Sequence, residues 1–212
     1  MKTFARWTPL FLFFTSACSD VEDHDHDHDH DHGVTTMVVL NFTPAEGGDT
    51  LSFTWSDPEN DGDPIIDPVV LPDASDTAEH VAQEYDVSVE LWNELEDPPE
   101  EVTPEILEQD DAHQLFFTGT AVEGPATAAN PAAVVEHAYA DADAGGLPVG
   151  LQNTMTTLAL GSGELSVRVR HLPPEDGNAV KVAGLEDTVA ASGFAAIGGD
   201  DDADVTFNLT VE

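Results

Sequence analysis

The chain is short of cysteine and of positive charge, and each shortage removes a class of explanation. One cysteine, Cys18, occurs in 212 residues. An internal disulfide is therefore impossible, and zinc frameworks built from paired cysteines are excluded. Lysine and arginine together number 5 against 43 aspartates and glutamates, giving a formal net charge of −38. A field of that sign repels phosphate backbones and anionic headgroups, so nucleic acid and acidic lipid surfaces are poor partners. No stretch approaches the roughly 20 apolar residues that a membrane-spanning helix needs. The Gly-x-Ser-x-Gly elbow, the His-Glu-x-x-His pair and the phosphate-cradling glycine loop are all missing. Acidic residues are too numerous for any pair to stand out as general acid and base, so the chain is not expected to be an enzyme.

What is present divides into three zones. Residues 1–17 open with Lys2 and Arg6, continue through Leu10-Phe11-Leu12-Phe13-Phe14 and end on the small residues Ser16 and Ala17. A cationic start, a brief apolar run and a small-residue cleavage site are the parts of a secretory signal. Cys18 follows directly. Thr15-Ser16-Ala17-Cys18 resembles the bacterial lipobox, with Thr15 standing where leucine is usual. The expectation is cleavage before Cys18 and acyl chains on that cysteine, which hold the chain on a membrane. Ser19 is not the aspartate that marks inner-membrane retention in enteric lipoproteins, and Ser19-Asp20-Val21-Glu22-Asp23 is similar to an acidic surface-export signal. An outer-membrane address follows, on either its periplasmic or its surface side.

Residues 18–33 read as a disordered, charged tether. Within it aspartate and histidine alternate five times: Asp23-His24, Asp25-His26, Asp27-His28, Asp29-His30 and Asp31-His32. Neutral imidazole is a good ligand for zinc, copper and nickel, and carboxylates add harder oxygen donors. Tetrahedral zinc takes four ligands, so the histidines suffice for one site or, with aspartates, two. Ordering a flexible segment costs entropy, and the aspartates favour protonated imidazole. Both effects suit transient capture, with release as pH falls through about 6.5. Without cysteine to favour softer ions, zinc is the expected metal. The bland alternative is a spacer with no ligand.

Residues 34–212 alternate with period two. Leu51-Phe53-Trp55, Tyr85-Val87-Val89-Leu91, Leu165-Val167-Val169 and Val205-Phe207-Leu209-Val211 each place apolar residues on one face. Val34–Phe42, 114–120, 134–139 and 152–160 add further strands. Such half-buried strands belong to antiparallel sheets with one wet face. Turn clusters separate them, and a short helix is expected over Thr103–Asp111, with Thr103 as its cap and Pro104 at its first position. The fold class is all-β, an antiparallel β-sandwich of immunoglobulin-like or jelly-roll type with at most one short helix. An acidic surface poor in lysine also arises from adaptation to salt, without any specific ligand.

Other ligand sets are fainter. Asp57, Glu59, Asp61 and Asp63 around Gly62 are similar to the opening of a calcium loop, although Pro68 stands where an EF-hand needs glutamate. Asp141 and Asp143 before Gly145-Gly146 repeat the pattern weakly. Of the four histidines beyond the tether, His80, His113, His137 and His171, two could meet across neighbouring strands as a preformed metal site.

The stretches 40–44, 53–58, 113–114, 139–143 with 146–150, 169–171 and 205–211 are similar to those of small Bacteroidetes-type lipoproteins labelled type 1 periplasmic binding fold superfamily proteins. The resemblance implies a link with TonB-dependent outer-membrane receptors for metal uptake. The leading expectation is a lipoprotein that captures a divalent transition metal and passes it to such a receptor. The alternative is a calcium-stabilised surface or adhesion module, with the tract as spacer. A third reading, a hydrolase or a protein for a small organic ligand, rests on fold analogy alone.

Overall fold

The computed structural model describes residues 34–73 and 79–212. The strands, in chain order, are β1 (Met37–Pro44), β2 (Leu51–Ser56), β3 (Ile65–Ile66), β4 (Val69–Leu71), β5 (Glu84–Asn93) and β6 (Glu100–Glu101). They continue as β7 (His113–Thr118), β8 (Val122–Glu123), β9 (Val135–Tyr139), β10 (Gln152–Thr157), β11 (Gly161–His171) and β12 (Asp200–Val211). One sheet runs β3-β2-β1-β5-β10-β9-β8, with β6 on β5, and the other β4-β12-β11-β7. Pairing is antiparallel except for β8 with β9 and β4 with β12.

Side-chain alternation is the cause of the layering. In β5 Tyr85, Val87, Val89 and Leu91 are buried, while Glu84 and Asp86 face water. They meet Val38, Leu40 and Phe42 of β1 on the same face and, from the second sheet, Leu165, Val167, Phe207 and Leu209. Phe42 anchors this layer with edge-on contacts to Phe53 and Tyr85 at 5.8 and 6.0 Å. The all-β sandwich expected from the period-two pattern is therefore the architecture observed.

Local differences have local causes. The first strand starts at Met37 rather than Val34, and the one expected to reach Leu160 ends at Thr157. The helix expected from Thr103 is a short one, α1 (Thr103–Glu108), followed by a single 3-10 turn at Asp110–Ala112. Val102, not Thr103, occupies its cap position and makes no side-chain cap. Thr103 is diverted because its hydroxyl accepts the Leu91 N–H at 2.8 Å, tying the helix to β5. A second helix, α2 (Leu185–Ser192), lies where none was expected. Its Leu185 and Val189 cover Phe116, Leu172 and Ile197 as a small second core on the outer face of β7. Among the described residues no helix is long and apolar enough to cross a membrane.

Candidate functional site

Cys18 and the metal ligands read from the sequence at positions 23–32 lie outside the described residues. The remaining expected ligands are all placed, and the loops that hold them use carboxylates in one recurring way.

Asp57 directly follows β2 and is 5% exposed. Its Oδ1 accepts the N–H of Asp61 at 3.1 Å and its Oδ2 that of Gly62 at 2.8 Å. Asp61 in turn accepts the N–H of Asp63 at 3.1 Å. Short carboxylates that cap nearby backbone N–H groups are how aspartate builds turns. Glu59, Asp61 and Asp63 are exposed, and the fold does not gather them with Asp57 around a common point.

The second acidic loop is built alike. Asp141 accepts the N–H groups of Gly150, Leu151 and Gln152 at 2.7, 2.9 and 2.9 Å. Asp143 accepts those of Gly145 and Leu147 at 2.8 and 2.9 Å, and its other oxygen meets Lys181 Nζ at 2.9 Å. Lys181 is 3% exposed and also donates to the Asp110 carbonyl at 2.6 Å. Burial by itself would raise the Asp143 pKa. The hydrogen bond from Lys181, with those from Leu147 and Gly145, outweighs it and holds the carboxyl below its ordinary value.

The four histidines divide into three environments. His113 and His171 do meet across neighbouring strands, in register on β7 and β11. Their rings stack 4.6 Å apart with planes 10° from parallel, so their in-plane nitrogen lone pairs do not converge on one point. His113 directs Nδ1 to the Gln109 carbonyl at 2.9 Å and Nε2 to Asp202 at 3.4 Å. That aspartate is placed by an irregularity: Arg170 pairs with Asp201 and Val169 with Ala203, leaving Asp202 as the extra residue of a β-bulge. His80 faces Asp73 at 2.9 Å and the Thr157 carbonyl at 3.1 Å. His137 is 2% exposed, stacked on Phe117 at 4.4 Å, with Nε2 against Asn153 Oδ1 at 2.9 Å. Burial drives its pKa down to about 4, opposed in part by the Asn153 bond, so it is neutral at pH 7. Among the described residues no three histidines, aspartates or glutamates are arranged to hold a metal ion.

Sequence reasoning missed how the scarce cations are used. Arg168 and Arg170 project from the outer face of β11 onto β12. Arg168 pairs with Asp201 and Asp204, and Arg170 with Asp201 at 2.6 Å. The Arg168 guanidinium also lies 4.1 Å over the Phe194 ring. The signal available in the sequence was strand parity, since Arg168 and Arg170 share a face opposite Val167 and Val169.

No family model, no curated protein and no solved structure matches this chain.

Proposed function

We propose that the chain is an envelope lipoprotein that collects a divalent transition metal, zinc above all, on its Asp-His tract. Acylated Cys18 would hold it at the outer membrane, and an uptake receptor of the TonB-dependent class would take the ion. The observation that carries this reading is the sequence of the tract, ten consecutive residues that are alternately carboxylate and imidazole, beginning five residues after the lone cysteine. Nowhere else in the chain does such a density of transition-metal ligands occur. The net negative charge adds to it by raising the local concentration of cations.

The calcium reading has less to support it. The carboxylate of Asp57, the best placed of that set, is already taken up by two backbone N–H groups.

Zinc titration of the protein with and without residues 23–32 tests the proposal. Zinc binding in the first and its loss in the second are expected. Equal weak binding in both would end the reading. Cys18→Ala separates the anchor from the metal: the variant should leave the membrane fraction and still bind zinc.

A further inference from the structure

A cleft of about 620 Å³ opens on the outer side of the smaller sheet, between the 118–132 segment and α2. That volume lies within the range of small-molecule sites. Its wall is mostly aliphatic and small, with Ala126, Ala190 and Val189 around the ring of Phe194. Phe194 is fixed from two sides, edge-on by Phe116 at 5.4 Å and from above by the Arg168 guanidinium at 4.1 Å.

Glu164, at the opposite rim, is the one ionisable residue of the lining. Its backbone is clamped: its N–H donates to Thr120 Oγ1 at 2.9 Å and its carbonyl accepts the N–H of Ala121 at 2.9 Å. Gly119 has a φ of +112°, and a Cβ there would collide with the Glu164 carbonyl, so this close approach depends on glycine. The Asn130 amide donates to the carbonyls of Thr120 and Val122 at 3.0 and 3.3 Å and fixes the other wall. The cleft is thus preformed, apolar at one end and anionic at the other. Glu164 and Arg168, whose guanidinium caps Phe194, are four positions apart on one face of β11. At about 3.3 Å per residue their backbones lie roughly 13 Å apart.

We propose that this cleft binds a small organic cation, an ammonium group carried on an aliphatic body. The ammonium sits at Glu164 and the aliphatic part on Val189 and Phe194. A carboxylate ligand would be opposed both by Glu164 and by the net negative field of the chain. This site is independent of the Asp-His tract and stands or falls separately from it.

Hexylammonium, hexan-1-ol and hexanoate are matched probes, followed by NMR shifts of the Phe194 ring and the Val189 methyls. Hexylammonium is expected to bind about threefold to fivefold more tightly than the alcohol, the span set by a rim-exposed ion pair. Hexanoate should bind most weakly. Glu164→Gln, at an exposed position, should erase the difference between amine and alcohol. Ala190→Trp, which fills the cleft, should abolish both. Hexanoate binding as well as hexylammonium, a cation preference that survives Glu164→Gln, or no shift at Phe194 with any probe would overturn the proposal.

Discussion

Aspartate and histidine occur in two regions of this chain, and the regions use them in opposite ways. In the tract they simply alternate, ten residues of ligating type with no apolar neighbour between them. In the sandwich the most buried of them are fitted into the fold. Asp57, Asp141 and Asp143 aim their oxygens at backbone N–H groups of their own loops. His113 and His171 stack on one another, and His137 is shut between Phe117 and Tyr139. Composition therefore does not make a ligand site. What matters is whether the fold has already given the lone pairs a partner, because a carboxylate that satisfies a buried N–H leaves that group orphaned if it turns to a metal.

Lys181→Met removes the cation from a buried pair and strands the Asp143 carboxylate, at a cost of about 3–5 kcal/mol in thermal or denaturant unfolding. Adding Asp143→Asn should recover part of that loss. A single variant as stable as the parent would show that the acidic loops do not depend on their internal partners.

A pH titration of stability probes the histidines. The folded-state pKa of His137, about 4, lies below the unfolded value of about 6.5. The unfolded chain thus binds that proton first, and stability present above pH 6.5 is lost as pH falls towards 4, by about 3 kcal/mol in all. Asp143, with its pKa also lowered, acts in the same direction at more acidic pH. His137→Gln should flatten the profile between pH 6.5 and 4. An unchanged slope in that variant would mean that other groups carry the acid sensitivity.

A smaller effect is expected at the first acidic loop. Asp57→Ala removes the acceptor for two N–H groups and should cost about 1–2 kcal/mol. Calcium should leave the melting temperature of the parent nearly unchanged. A large calcium-dependent rise that Asp57→Ala abolishes would favour the surface-module reading.

How much of this was legible in advance follows from what each signal depends on. Period-two alternation is local, so the strands around Tyr85–Leu91 and Val205–Val211 could be read directly. The helix at Leu185–Ser192 carried signals that went unread: Glu186 and Asp187 in its first turn, Leu185 and Val189 four apart, and Gly193 at its end. The stacking of His113 on His171 could be suspected but not specified, because it needs the register of two strands 58 residues apart and the bulge at Asp202. The pairing of Lys181 with Asp143 is equally non-local, since it joins two loops that only the fold brings together. The proposed metal ligands of the tract are legible as chemistry for the opposite reason: their pattern is contiguous in sequence and needs no fold to assemble it.

On the proposed function the tract, and not the sandwich, holds the metal. This is tested most directly by replacing His24, His26, His28, His30 and His32 together with asparagine and measuring bound zinc by equilibrium dialysis at pH 7.5 and 5.5. The parent should retain at least one zinc ion at pH 7.5 and lose it at 5.5, where imidazole is protonated. The variant should retain none at either pH while its melting temperature is unchanged. Zinc held by the variant as tightly as by the parent would place the metal outside the tract.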